Sequence, residues 1–183
     1  MSDIPKQIDY SNYDVFIVQL KTTASIDKSF NCKVKEYTEY YKVHAFNDLQ
    51  RGIGNTWVLT YKGKVLGFIS IAMAHMQPER HHDLQGNGFG NIPSLLIGHL
   101  ATHKDYENKG VGSHLVAWAI KKAREYSKTI GCKIVILNPD DKEEVREFYR
   151  KLGFTYVPHD DKGRDAFFLD IGSEKVKHIA KKV

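Results

Sequence analysis

Cysteine is nearly missing from this chain of 183 residues: only Cys32 and Cys132 occur, far apart in sequence. That excludes a disulfide framework and offers no metal-type spacing. Cys132 opens an apolar strand-like run and reads as a small core residue, while Cys32 sits in a polar stretch. Long apolar runs are missing as well. Nothing approaches the run of about 18 apolar residues that a membrane-spanning helix needs. The opening stretch MSDIPKQIDYSNYD has no apolar segment of the signal-peptide kind, so the expected compartment is the cytoplasm. There is no internal repeat and no low-complexity block.

What is present suits one globular domain. Hydrophobic residues make up 42% of the chain, enough for a real core. A single domain over 1–172 is expected, followed by a basic tail over 173–183 carrying Lys175, Lys177, Lys181 and Lys182. Lys and Arg total 27 against 22 Asp and Glu, a net charge of +5. That excess suits an anionic partner such as a nucleotide cofactor or RNA, and equally suits a merely soluble basic protein.

Periodicity gives the element order. Residues 15–20 are β-branched and aromatic, as in a strand. From 33 to 49, Val34, Tyr37, Tyr41 and Ala45 recur at helical spacing, and Gly52 and Gly54 follow as stop signals. Residues 56–61 and 65–74 read as a hairpin closed by Lys62-Gly63-Lys64. Its second strand is apolar enough to be buried on both faces. A long loop is expected over 75–93, holding Pro78, Gly86, Gly88, Gly90 and the pair His81-His82. Loops of that length are usually functional or disordered, and a substrate-side loop is one reading. His75, His81 and His82 with Glu79 and Asp83 are too irregular in spacing to argue for a metal.

After the loop, 95–102 reads as a strand. From 110 to 128 a helix is expected, with Val111, Leu115, Trp118, Ala119 and Ala123 on its apolar face and Gly131 at its exit. Residues 133–137 make a short strand. Asp140 or Asp141 is expected to cap a helix through Leu152 whose core face is Val145, Phe148 and Leu152, stopped by Gly153. Residues 154–157 and 166–171 read as closing strands around a turn at 159–164. The order argues for a mixed α/β sheet.

The strongest local feature is the turn Glu107-Asn108-Lys109-Gly110-Val111-Gly112. Its glycines stand where a strand feeds a helix, so backbone can come close to a ligand. The helix start offers unpaired N–H groups and a positive dipole end, which suit a phosphate. Ser113-His114 rather than Lys-Ser/Thr follows Gly112, and the three-glycine dinucleotide spacing is absent. Taken alone, the turn could equally serve tight helix–strand packing.

Ile97-Gly98-His99-Leu100-Ala101-Thr102 and the turn resemble the acetyl-coenzyme A motif of the GNAT acetyltransferases, usually written Gln/Arg-x-x-Gly-x-Gly/Ala. Phe148-Tyr149-Arg150-Lys151-Leu152-Gly153-Phe154 resembles that family's tyrosine helix with its following Gly-Phe. The resemblance implies an α/β (α+β) fold: a mixed, mostly antiparallel sheet flanked by helices, with a splayed central strand pair. It implies that acetyl-CoA is the cosubstrate and that no metal is used. Leu100, Ala101 and Thr102 would bond the pantetheine arm and acetyl carbonyl through their backbone. Lys109, Gly110, Val111, Gly112 and Ser113 would hold the pyrophosphate through backbone N–H, and Tyr149 would protonate the departing thiolate. Glu107 departs from the family, which has Gln or Arg there; a carboxylate would repel the pyrophosphate unless it points away. No general base is evident; His99 is the most tempting, with a structural strand histidine as the bland alternative.

Phe30-Asn31-Cys32, the helix through Tyr40 and Ala45, and 93–102 are similar to the tRNA-acetylating toxin branch, although His99 stands where that branch commonly has Arg. That similarity implies charged tRNA as acceptor and a small antitoxin as partner. A small-molecule or protein amine as acceptor stays open, as do a non-catalytic acyl-CoA-binding module and a homodimer.

Overall fold

The computed structural model describes residues 8–11, 14–77, 90–157 and 165–172. The expected basic tail, the turn at 159–164, and Glu79, His81, His82 and Asp83 of the long loop lie outside the described residues. The strands are β1 (Val15–Gln19), β2 (Asn55–Tyr61), β3 (Lys64–Met76), β4 (Ile92–Thr102), β5 (Ile134–Leu137), β6 (Thr155–Val157) and β7 (Ala166–Asp170). They form one seven-stranded sheet in the order β1-β2-β3-β4-β5-β7-β6. The pairs β1–β2, β2–β3, β5–β7 and β6–β7 are antiparallel, and β4–β5 is parallel. The helices are α1 (Lys35–Glu39), α2 (Ala45–Gln50), α3 (Val111–Ser127) and α4 (Glu143–Lys151). A parallel pair needs a crossover, and α3 supplies it between β4 and β5. The α/β class and the mostly antiparallel sheet therefore agree with expectation.

Packing divides the chain into two compact units, Met1–Ala72 with His99–Val116 and Met73–Gly98 with Ala117–Val183. The first is built on the β2–β3 hairpin. Lys62 and Gly63 both take positive φ, +48° and +76°, which is the two-residue turn whose twist matches paired strands. Its core joins Phe30, Tyr41 and Phe68 with Leu20, Val58, Val65 and Ala101, the Phe30 ring meeting Phe68 edge-on at 5.5 Å. Cys32 belongs to that core: its thiol donates to the Val34 carbonyl (3.1 Å), so the polar stretch around it is misleading. The helix expected over 33–49 is present, but a π-helical segment, Tyr40–His44, joins α1 to α2. The widened turn lets the consecutive residues Tyr40 and Tyr41 both face inward.

The second unit packs Met76, Ile92, Ile134, Val157, Ala166 and Phe168 together. Cys132 is buried as expected, and its burial pushes the thiol pKa up. Four expectations need correction. Pro93 lies inside β4, and His75 inside β3, so the connection is shorter than 75–93. The central residues of α3 are buried nearly all round, Val116, Ala117 and Ile120 included, not along one stripe. The N-cap of α4 is Lys142 with no side-chain cap bond, because the Asp141 carboxylate accepts from Arg146 instead. The buried residue of α4 is Tyr149, while Val145, Phe148 and Leu152 are only half-buried.

Candidate active site

The parallel ladder of β4 with β5 ends at Ile97 opposite Leu137, and β4 runs on to Thr102. This continuation lies beyond the ladder with β5. Backbone groups alternate sides along a strand. His99 N–H donates to Ser70 Oγ (2.8 Å) and His103 N–H to the Leu66 carbonyl (2.8 Å), both on β3. Ala101, between them in register, therefore also turns its backbone toward β3. Leu100 and Thr102 turn theirs away from β3.

Beyond Thr102 the chain is fixed locally before it turns. Lys104 N–H donates to the Asn31 carbonyl (2.9 Å), and His103 Nδ1 accepts from Asp105 N–H (3.2 Å) at the start of a short 3-10 turn. Asn108 and Gly110 then take positive φ, +58° and +81°. Asparagine and glycine are the residues that adopt this left-handed backbone at least cost. His114 N–H closes the first helical bond onto the Gly110 carbonyl (2.9 Å). The N–H groups of Val111, Gly112 and Ser113 have no carbonyl one turn earlier and point along the start of α3. Alternating left-handed residues before a helix start make a concave set of amides suited to an anion.

Glu107 is answered by a cation: Lys33 Nζ lies 2.5 Å from its carboxylate. The departure from the usual Gln or Arg is thus neutralised in place. Lys109 holds its ammonium over the Tyr106 ring at 5.9 Å. Sequence reasoning missed Tyr10, whose hydroxyl donates to the Lys109 carbonyl (2.6 Å) and whose ring stacks on His114 at 4.3 Å. It also missed Gly67 on β3, where a Cβ would come within 2.7 Å of Val111 and 2.8 Å of the Ala101 carbonyl oxygen. A glycine inside a buried strand was the available signal for such a close approach.

His99 stacks on Tyr40 at 3.6 Å, meets Tyr37 edge-on at 5.7 Å, and has Nδ1 3.1 Å from Ser70 Oγ. These contacts fix the imidazole.

Tyr149 belongs to the second unit. It is only 6% exposed, wedged among the rings of Phe148 (5.0 Å), Phe154 (5.6 Å) and Phe167 (6.1 Å). The Gly-Phe that follows it is a helix stop. Gly153 takes φ +83°, its N–H donates to the Arg150 carbonyl, and Phe154 N–H donates to the Tyr149 carbonyl. That double bond with a Phe154–Tyr149 contact is a Schellman cap. One turn before Tyr149, Arg146 holds Asp165 (2.6 Å) and Asp141 (2.7 Å), and Asp165 also accepts from the Tyr156 hydroxyl (2.7 Å). Among the described residues no group of three or more His, Cys, Asp or Glu is placed to hold a metal ion.

A family model for the acetyltransferase (GNAT) domain matches residues 52–156. A protein from Mycobacterium tuberculosis (strain H37Rv), described as a tRNA-acetylating toxin, is 26% identical over 136 residues, which is 72% of this chain and 80% of that one. Among solved structures, AtaT complexed with acetyl-methionyl-tRNAfMet superposes with a TM-score of 0.75 at 22% identity, covering 90% of this chain and 99% of the other. A mutant AtaT toxin bound to the C-terminus of the antitoxin AtaR and acetyl-CoA gives a TM-score of 0.70 at 22% identity, covering 92% and 97%. These two likenesses concern the fold.

Proposed function

Because the chain belongs to the GNAT acetyltransferase family, we propose that it transfers an acetyl group from acetyl-CoA to the amino group of an aminoacyl-tRNA. The turn at Asn108–Gly110 carries the cofactor half of this reading. Its two left-handed residues and the free amides of α3 form an anion cradle made of backbone and independent of the Glu107 side chain. Lys109, Gly110, Val111, Gly112 and Ser113 are the cradle residues. Leu100 and Thr102 bond the pantetheine arm and acetyl carbonyl through the backbone groups that face away from β3; Ala101 supports them from the core.

The neutral amine attacks the thioester carbonyl, a C–N bond forms, the C–S bond breaks, and the proton that the nitrogen sheds passes through water to replace the one Tyr149 gives. Tyr149 gives its phenolic proton to the departing thiolate, a fitting donor because its ordinary pKa lies near 10. The acceptor assignment is supported by the tRNA-acetylating relative and by the +5 charge, which suits a polyanion. The reading includes an antitoxin partner and a cytoplasmic site of action, where acetyl-CoA and charged tRNA meet. Among the described residues no helix is long and apolar enough to cross a membrane.

The test is purified protein with labelled acetyl-CoA and a panel of charged tRNA, uncharged tRNA and free amines, alongside expression in growing cells. Label on charged tRNA with growth arrest is expected. Label on free amines alone would replace the acceptor. Acetyl-CoA binding with no CoA release across the whole panel would replace the enzyme by a binding module.

A further inference from the structure

Tyr10 lies 99 positions before the residue it binds, yet its hydroxyl meets the Lys109 carbonyl oxygen at 2.6 Å. Its ring is fixed by the near-parallel stack on His114, on the first turn of α3. The segment around it is anchored too. Ile8 is buried, and the Asp9 carboxylate accepts from both the N–H (3.0 Å) and the hydroxyl (2.6 Å) of Ser11. Tyr10 packs directly over Gly110, whose φ of +81° is the backbone conformation that favours glycine.

The peptide bond supplies the consequence. The Lys109 carbonyl and the Gly110 N–H belong to one rigid planar trans unit and point in opposite directions. Holding the carbonyl toward Tyr10 therefore aims the Gly110 N–H the other way. It also withdraws electron density through that peptide, which makes the amide a better donor. Without this bond, the Lys109–Gly110 peptide has a neighbouring rotation at small cost, because glycine tolerates it.

We propose that Tyr10 is a positioning residue of the pyrophosphate cradle, aiming the Gly110 amide by its hydrogen bond to the Lys109 carbonyl. The inference rests on the acetyl-CoA reading of the turn. Burial pushes the Tyr10 pKa up to about 12, so the hydroxyl keeps its proton at any ordinary pH.

The experiment is calorimetric titration of the full chain and of Tyr10→Phe with two ligands, acetyl-CoA and acetyl-pantetheine. The second keeps the thioester and arm and lacks the pyrophosphate. Tyr10→Phe retains the ring and its stack and loses only the donor. Acetyl-CoA is expected to bind about tenfold more weakly to the variant, with acetyl-pantetheine within about twofold of wild type. Equal losses for both ligands would show a general structural role and overturn the proposal, as would no loss for acetyl-CoA. If the wild-type chain itself fails to prefer acetyl-CoA over acetyl-pantetheine, the cradle reading falls and takes this inference with it.

Discussion

Gly67 shows how little freedom a single position has here. An added methyl would meet the Val111 side chain at 2.7 Å and the Ala101 carbonyl oxygen at 2.8 Å, and a backbone oxygen in a strand does not yield. Gly67→Ala is expected to cost about 2 kcal/mol, seen as a lowered melting temperature; an unchanged melt would show that β3 and α3 separate more easily than they pack. The ion pair of Lys33 with Glu107 makes a different claim. Lys33 is largely exposed, so the pair adds little to stability. On the acetyl-CoA reading of the turn its effect is on binding: Lys33→Ala leaves the Glu107 carboxylate without the Lys33 cation beside the bound anion. Acetyl-CoA affinity is expected to fall about threefold at low salt and to return in Lys33→Ala with Glu107→Gln. Failure of the second change to rescue the first would separate Lys33 from Glu107. His114 gives a pH prediction. Burial holds its pKa below the ordinary value, so the folded ring is neutral where the unfolded one takes a proton. Its contribution to stability is present above about pH 6.5 and is lost as pH falls through the lower, folded value. The melting temperature should therefore drop more between pH 7 and 5 in wild type than in His114→Phe, which keeps the stack; parallel curves would count against it.

At the scale of elements, α4 is a short helix whose buried residue is Tyr149. Its C-terminus is set by the Gly153–Phe154 cap and its rotation by Arg146, which reaches Asp165 beside β7. Asp165 is nearly buried, with its side chain 8% exposed, whereas Asp141 is open to solvent. Losing Arg146 thus leaves one enclosed carboxylate without its cation. Arg146→Ala is expected to lower stability by about 2 kcal/mol, while Asp141→Ala, removing the solvated partner, stays within about 0.5 kcal/mol of wild type. Denaturant midpoints would decide, and equal effects would refute the distinction. On the reading that Tyr149 is the acid, Tyr149→Phe keeps the ring packing of α4, loses most turnover and still binds acetyl-CoA; unchanged turnover would remove Tyr149 from the chemistry.

For the molecule as a whole, net charge is the property that a polyanionic acceptor would read. A chain at +5 that binds tRNA through phosphates should release counterions on binding. The KM for charged tRNA is expected to rise at least about tenfold between 50 and 200 mM salt, with a much smaller rise for acetyl-CoA, whose cradle is built of backbone dipoles. A flat salt profile would point to a small amine as the acceptor.

Most of the element order was legible because strands and helices write local patterns. The β-branched runs became β1, β2 and β3, and the spacing of Val34, Tyr37, Tyr41 and Ala45 marked the α1–α2 stretch. The sharp turn before α3 was legible from its glycines, of which Gly110 takes a left-handed backbone; that Asn108 does so too was seen only in the folded chain. The Asp cap of α4 was misread because a carboxylate one or two residues before a helix serves a cap and an arginine equally well. Only the folded chain showed Arg146 within reach of Asp141. Tyr10 against Lys109 and Lys33 against Glu107 left no trace in periodicity. Each joins residues distant along the chain through a hydrogen bond or an ion pair that no local sequence pattern encodes. The sequence by itself determined the α/β class and the glycine turn that leads into α3, because both follow from backbone preferences of neighbouring residues. Tertiary structure alone decided what neutralises Glu107, what aims the Gly110 amide and what encloses Tyr149, because those depend on which distant side chains the sheet brings together.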